Sequence, residues 1–267
     1  MDKSFKIFMF VIVSIILFSA VYKYINSNGI IVGGGIDKTE IKPAFEIKPI
    51  PFPIVTITFD DGFYSTYDKG LPILKKHNTK ATFFIISNRV GNKDYMNANQ
   101  ILELQSDGQE VGAHTRSHLH LSTLSEKEQF DEIAGSATDL KHLGIKEVVS
   151  FAYPFGDYSS YTEEIVQKYF KNARTTKEGF ESLNLNMYAL KSKVVTHDTT
   201  FSQIKELVDL AISQKYWLIL TFHKLDEAEK RISSNSLLLD QALTYIQDNN
   251  IPILTTAEVT SLVEERK

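Results

Sequence analysis

The chain contains no cysteine among its 267 residues, and this absence excludes several kinds of site. Disulfide bonds, thiolate metal ligands and a lipid-modified amino-terminal cysteine all require that side chain. An excess of basic residues is also missing, because 29 Lys and Arg are outnumbered by 33 Asp and Glu, which gives a formal net charge of −4. No basic cluster is interleaved with aromatic residues, so we expect no nucleic-acid partner.

A long apolar run lies at the start of the sequence, from Ile7 to Tyr22, and Lys3 and Lys6 precede it. Basic residues ahead of such a run are typical of export signals. The small-x-small signature of a cleavage site is poor, since the large Phe18 would flank a cut after Ala20. We therefore interpret the run as an uncleaved signal-anchor helix, with a cleaved signal peptide as the alternative. In both cases the rest of the chain is expected to be extracytoplasmic.

Composition divides the chain into three segments. Residues 1–24 carry the signal-anchor or signal peptide, and residues 25–50 contain three consecutive glycines, Lys-Pro pairs and no amphipathic period. We interpret the second segment as a flexible linker. Residues 51–267 then form the third segment, a single folded domain.

Strand-like apolar runs alternate with helix-like segments throughout residues 51–267. The strand-like runs are IVTITF, ATFFII, QEVGAH, EVVSFAY, NARTT, WLILTF and IPILTT. Repeated strand-helix alternation indicates an α/β protein with a parallel sheet. Seven such units predict a distorted (β/α)7-type barrel with parallel strands, somewhat smaller than the eight-stranded standard.

Polar residues occur where several of these strands end. Asp60 and Asp61 follow the first strand, His114 follows the third with His118 four residues later, and His223 follows a late strand. The carboxyl ends of parallel strands converge on one edge of the sheet, so these side chains should lie together. Two imidazoles and one carboxylate form a familiar ligand set for a catalytic divalent metal. Taken alone, an Asp-Asp-Gly sequence is more typical of an ordinary turn.

The other histidines are weaker candidates. His120 competes with His118 for a place in the ligand set, but two residues so close would diverge in a helical segment, so we interpret His120 as a bystander. His77, His142 and His197 occur within or just after polar segments, and we expect them to be solvated.

The stretches TFDDGF, HTRSH and LTFH, in this order and at these separations, resemble the motifs of the polysaccharide deacetylase family. This family is also called carbohydrate esterase family 4 or the NodB homology domain. The resemblance extends from about Pro51 to the end of the chain. It implies that the protein hydrolyses N-acetyl groups on an N-acetylglucosamine-containing polysaccharide and releases acetate. It also implies a divalent metal cofactor, Zn²⁺ with Co²⁺ or Ni²⁺ as alternatives, and we expect a monomer.

The resemblance assigns a role to each of the candidate residues. Asp60 would be the catalytic base and His223 the general acid. Asp61, His114 and His118 would be the metal ligands. Of the two adjacent carboxylates, one would thus be neutralised by the metal while the other accepts a proton.

The stretch FAYPFG matches the third motif of the family, which implies that Tyr153, Pro154 and Phe155 contribute to oxyanion or substrate binding. A backbone N–H near Phe155 would hold the oxyanion. The motif usually begins with an arginine that orients the base, and this chain has Ala152 there. The same form resembles the branch that includes poly-β-1,6-N-acetylglucosamine deacetylases.

Support for His223 is less defined in the sequence. Asp198 is a candidate partner for its imidazole, with a helix cap ahead of FSQIKELVDLA as the alternative interpretation. Two other functions remain open. One is a catalytically impaired carbohydrate-binding barrel, which loss of the arginine would favour, and the other is an O-acetyl esterase acting on sugars.

Overall fold

The structure is a computed structural model that describes residues 53–182, 185–228 and 231–265. The predicted signal-anchor at residues 1–24 and the predicted linker at residues 25–50 lie outside these ranges. Within them, no helix combines the length and the hydropathy that crossing a bilayer requires.

Seven strands of the described residues form one parallel sheet. They are β1 (Ile54–Phe59), β2 (Thr82–Ile85), β3 (Glu110–Ala113), β4 (Ser150–Ala152), β5 (Asn172–Arg174), β6 (Lys193–Val194) and β7 (Trp217–Phe222). Their order across the sheet is β5-β4-β3-β2-β1-β7-β6, and each neighbouring pair is parallel. The predicted parallel α/β architecture is confirmed, and the sheet is consistent with a barrel of the (β/α) type. Two short strands, β8 (Lys224–Leu225) and β9 (Ser233–Ser234), pair separately.

The two outer strands of the sheet are joined by one segment of chain. Lys193 and Val194 pair with β7 at one edge, while Leu190 forms a parallel bridge with Arg174 of β5 at the other. A segment of five residues can contact both edges only if the sheet is strongly curled. The curl brings the inner faces of distant strands together.

Seven α-helices occur in the described residues, and the first six pack on the outer face of the sheet. They are α1 (Leu71–Lys76), α2 (Ala98–Ser106), α3 (Glu126–Leu143), α4 (Ser160–Tyr169), α5 (Phe201–Gln214), α6 (Ser236–Asp248) and α7 (Thr256–Glu264). Most begin at an Asn, Ser or Thr whose side chain accepts a hydrogen bond from the first turn, which is the preferred helix start. The cap of α5 is Thr200, so the alternative interpretation of Asp198 as that cap is wrong.

The two faces of each strand have different surroundings. On β1, Val55, Ile57 and Phe59 belong to the large apolar core that the helices cover. Thr56 and Thr58 point to the inner face, where Thr56 accepts a hydrogen bond from the Trp217 indole and Thr58 donates one to Thr221. Because side chains alternate along a strand, the residue that follows β1 continues the inner face.

Two sequence expectations are wrong outside the site. The IPILTT run forms a single bridge, between Ile253 and Val55, because α7 already begins after the cap at Thr255. His77 is not solvated: its side chain is only 8% exposed, and it contacts Asp240 and Gln247 of α6 through its two ring nitrogens.

Candidate active site

The adjacent carboxylates at the end of β1 point in different directions because the chain turns between them. Asp60 still pairs with the sheet through its N–H, which donates to the carbonyl of Phe222 at 2.9 Å. Asp61 then adopts a left-handed conformation with φ 73°, followed by Gly62 at φ 79°. Such a backbone is costly for a residue with a side chain and is concentrated at functional sites. The turn places Asp60 on the inner face and sends Asp61 towards β3.

Asp61, His114 and His118 form one cluster, as the sequence predicts. Oδ1 of Asp61 lies 3.4 Å from Nε2 of His114 and 3.3 Å from Nε2 of His118. Ligands bound at about 2.1 Å in a tetrahedral site are separated by about 3.4 Å, so this spacing fits a shared ion. The same Oδ1 atom is buried and has no hydrogen-bond partner. An orphaned carboxylate oxygen facing two imidazoles is the arrangement a divalent cation would satisfy.

A hydrogen bond on the side of the ring away from the cluster fixes the orientation of His114. Its Nδ1 donates to the carbonyl oxygen of Ala152 at 2.7 Å, which leaves the lone pair of Nε2 directed at the cluster. Such a bond on the far nitrogen is common among metal-binding histidines because it selects the tautomer that can bind. Thr115 and His118 both have left-handed backbones, and the N–H of His118 donates to Oγ1 of Thr115. The loop from His114 to His118 is therefore a tight turn that returns the second imidazole to the first.

The surroundings act in different directions on the protonation of the three ligands. The pKa of His114 is raised, because its contact with Asp61 and the charge of Asp60 outweigh the effect of burial. The pKa of Asp61 is lowered to about 2, because the nearby imidazoles of His114, His223 and His118 outweigh the effect of burial. Burial, together with the charge of His114, lowers the pKa of His118 to about 4. At neutral pH Asp61 is thus ionised and His118 is neutral, which is the ligand form of each group.

Asp60 forms a buried ion pair with Arg174, a residue that sequence reasoning missed. Nη2 of Arg174 donates to Oδ2 of Asp60 at 2.5 Å, and both side chains are at most 3% exposed. Nη1 of Arg174 donates to the carbonyl of Thr175, and its guanidinium lies over the ring of Phe84. Oδ1 of Asp60 remains without a hydrogen-bond partner. The arginine absent from the third motif is therefore replaced by one from β5, the next strand.

A signal for Arg174 exists in the sequence, in the short strand-like run NARTT. A charged residue inside a buried strand needs a partner, and alternation puts Asn172 and Arg174 on the inner face with Ala173 outside. The run does not reveal which carboxylate is the partner, because β1 and β5 are separated by three strands in the sheet.

His223 continues the inner face of β7 and completes the site. Its Nε2 lies 3.7 Å from Oδ2 of Asp60, and its side chain is 15% exposed. Nδ1 of His223 is buried without a hydrogen-bond partner. Asp198 is exposed and does not contact it, so the predicted support of His223 by Asp198 is wrong. The residues that follow β6 carry Asp198 towards the start of α5 rather than towards the site.

The third-motif residues separate into core and surface. Tyr153 is fully buried, packs on Phe151 and Tyr158, and donates from its hydroxyl to the carbonyl of Tyr188. It therefore cannot bind substrate directly, contrary to the sequence prediction, because alternation after β4 turns it to the helix-covered face. Pro154 is also buried.

Phe155 is the exposed member of that motif. Its side chain is 47% exposed, and its backbone is left-handed with φ 59°. The ring contacts His118 edge-on at 4.5 Å and stacks on His120 at 4.1 Å. Among the described residues its N–H has no acceptor. Phe155 thus presents a ring and a free N–H donor next to the ligand cluster.

His120 stays outside the ligand cluster, as predicted. The group of atoms that could hold an ion includes His118 and not His120. Nδ1 of His120 lies 3.7 Å from Asp157, and its ring supports Phe155.

Comparison with known proteins shows which protein family this site resembles. Residues 48–171 match the family model described as polysaccharide deacetylase. These residues are therefore similar to a polysaccharide deacetylase domain. The resemblance noted in the sequence is therefore confirmed, and the matched residues include both aspartates of β1 and both predicted histidine ligands. Arg174 and His223 lie beyond the matched range.

Individual relatives of this chain are similar over part of their length. The YxkH protein of Bacillus subtilis is 34% identical over 137 residues, which are 51% of this chain and 49% of YxkH. A peptidoglycan-N-acetylglucosamine deacetylase of Bacillus cereus is 34% identical over 121 residues, 45% of this chain and 53% of that protein. The chain thus spans about half the length of these two relatives. Among solved structures, the Streptococcus pyogenes deacetylase PplD in complex with acetate is similar, with 27% identity, a TM-score of 0.54 and coverage of 57% of this chain and 68% of that one.

Proposed function

We propose that this protein is a metal-dependent deacetylase that removes N-acetyl groups from an N-acetylglucosamine-containing polysaccharide and releases acetate. The observation that carries the proposal is the paired and buried Asp60, with one free oxygen, beside a separate cluster of Asp61, His114 and His118. A base and a metal site so close together suit hydrolysis of an acetamide. The relatives named above support the same reaction class.

The residues of the site have complementary roles in this reaction. Arg174 holds Oδ2 of Asp60, so Oδ1 is the atom that takes a proton from the attacking water. A divalent ion held by Asp61, His114 and His118 would supply Lewis-acid polarisation of the acetyl carbonyl and a more acidic water. We propose Zn²⁺, with Co²⁺ or Ni²⁺ as alternatives, because histidine and carboxylate ligands accept all three.

His223 would carry out the later proton transfer, to the leaving group. Its Nε2 is on the same side of the site as Asp60, and from there it would donate a proton to the departing amine nitrogen. An amide nitrogen leaves poorly without that proton. The unused N–H of Phe155 would stabilise the oxyanion, a contribution worth roughly 3–4 kcal/mol for a well-placed donor.

One observation favours a second candidate, an esterase acting on O-acetyl sugars. Nδ1 of His223 has no partner to orient the ring, and an alkoxide leaving group makes less demand on a general acid than an amine does. The sugar-binding alternative is disfavoured, because a module that only binds carbohydrate has no need for a buried Asp60–Arg174 pair beside a metal-ligand cluster.

Acetate release separates these functions. The purified protein should release acetate from N-acetylglucosamine oligomers, and a chelator should stop the release until Zn²⁺ is returned. Faster release from O-acetylated sugars than from N-acetylated ones would favour the esterase. Binding of oligomers without release of acetate from either would favour the sugar-binding module.

We also propose that the enzyme acts outside the cytoplasmic membrane, held there by the apolar run Ile7 to Tyr22 behind Lys3 and Lys6. The full-length chain should then fractionate with membranes and resist extraction by salt, since burial of an apolar segment is not electrostatic. Recovery of a chain that lacks its first ~20 residues from the medium would replace the anchor with a cleaved signal.

A further inference from the structure

A polar cavity lies beside the candidate active site. Its volume is about 600 Å³, within the usual range for small-molecule sites. The residues that line it include Gly156, Tyr158, Thr176, Lys177, Glu181 and Lys191. None of them belongs to the site residues predicted from the sequence.

The cavity shares a wall with the active site. Thr176 follows the strand that ends at Arg174, and its Oγ1 donates to the carbonyl of Phe155 at 2.9 Å. Gly156 has φ 71°, and a Cβ there would approach Oγ1 of Thr176 to 2.3 Å. The Phe155–Gly156 turn therefore separates the ligand cluster from the cavity by the width of one loop. A polymer that extends from the site past this turn would bring a neighbouring sugar to the cavity.

The charges around the cavity are unbalanced. Glu181 is buried, and its Oε1 accepts a hydrogen bond from the backbone N–H of Lys191 at 2.7 Å. Nζ of Lys191 lies 4.0 Å from Oε2 of Glu181 and donates to the carbonyl of Phe180. Lys191 therefore offsets Glu181. Lys177 is exposed and makes no ion pair with any described residue, although its charge also acts on Glu181. The cavity is thus lined by two ammonium groups and one carboxylate.

We propose that this cavity binds a carboxylate-bearing sugar adjacent to the sugar that loses its acetyl group, with Lys177 pairing with the carboxylate. The inference rests on the proposed function, because it concerns a neighbouring unit of the same substrate. A neutral N-acetylglucosamine polymer has no group for Lys177. Glycans in which N-acetylglucosamine alternates with a carboxylated sugar supply one. The carboxylate could belong to a muramic acid lactyl group or to a uronic acid.

The test compares oligosaccharides of matched length. Acetate release is measured on neutral N-acetylglucosamine oligomers, on oligomers that alternate with N-acetylmuramic acid and on oligomers that alternate with glucuronic acid. Lys177→Gln should lower kcat/KM on a carboxylated series about 3- to 10-fold, mainly through KM, and change the neutral series less than 2-fold. Lys141→Gln, which removes an exposed lysine of α3, is the matched control and should change neither. The series that depends on Lys177 identifies the source of the carboxylate.

Two outcomes overturn the inference while the proposed function stands. One is equal activity of the wild type on neutral and carboxylated oligomers, and the other is the same loss on all series in Lys177→Gln. Absence of acetate release from every series would instead contradict the proposed function. In that case calorimetry with the carboxylated and the neutral disaccharides decides the inference, since tighter binding of the carboxylated one must disappear in Lys177→Gln.

Discussion

Arg174 of β5 forms a buried ion pair with Asp60, which follows β1, across the inside of the curled sheet. Three strands separate β1 from β5 in the hydrogen-bonded order. The pair supplies what the third motif of this chain lacks, a cation that pairs with the candidate base and orients it. Removal of one partner from such a pair is costly because a buried charge is left uncompensated.

Arg174→Met should therefore lower kcat/KM by about 10²-fold or more, in the range of general-base losses, while the metal content is kept. Arg174→Lys should restore part of the rate, because it keeps the charge without the guanidinium geometry. Activity equal to that of the wild type in Arg174→Met would contradict this role.

Substitutions of the two adjacent carboxylates should have different effects on metal binding. Asp60→Asn should keep bound metal and lose about 10²- to 10⁴-fold in turnover, since only the proton acceptor is removed. Asp61→Asn should lose metal as well as turnover, because a neutral amide is a poorer ligand. Metal analysis alongside acetate release checks both variants. Loss of metal in Asp60→Asn with retention in Asp61→Asn would mean that the two roles are exchanged.

The histidine ligands have a matched control in the same loop. His114→Ala and His118→Ala should each lower bound Zn²⁺ and activity together, because each removes one of three ligand atoms. His120→Ala should retain stoichiometric metal, since its ring contacts Phe155 and lies outside the cluster. Stoichiometric Zn²⁺ in both of the first two variants would place the metal elsewhere.

The ring of Phe155 should matter for substrate binding more than for chemistry, because both substitutions below keep the backbone N–H. Phe155→Gly tolerates the left-handed backbone and removes the exposed ring, so KM for oligomers should rise about 2- to 10-fold with little change in kcat. Phe155→Ala should show the same rise in KM. It should also be less stable than Phe155→Gly, because alanine does not favour φ 59°. Initial rates and thermal unfolding of the two variants measure these effects. An unchanged KM in both would exclude the ring from substrate contact.

Tyr153 should behave as a core residue. Tyr153→Phe removes the hydrogen bond to the carbonyl of Tyr188 and should lower the free energy of unfolding by about 1 kcal/mol. The kcat/KM for acetate release should stay within 2-fold of the wild type, because burial keeps the phenol away from substrate. A large loss of activity without loss of stability would restore Tyr153 to the site.

Much of this protein follows from its sequence by local rules. Strand-helix alternation predicted the parallel sheet, and strand ends predicted that Asp61, His114 and His118 would meet. These inferences depend on the period of two along a strand and on the common edge of parallel strands, which are properties of short segments. The short IPILTT run failed because a local pattern does not reveal that a helix cap at Thr255 ends the pairing.

The tertiary structure decided the pairings between distant segments. Arg174 was present in the sequence as an arginine in a short strand, yet only the curl of the sheet brings it to Asp60. Tyr153 and Phe155 are two residues apart, and a left-handed backbone at Phe155 leaves one exposed at the site while the other lies in the core. His223 was identified from its position at a strand end. The separation of Asp198 from His223 depends on the path of the chain between β6 and α5. Sequence thus determined which chemical groups are available, and the closure of the sheet determined which of them meet, because contacts across its interior join residues more than 100 positions apart.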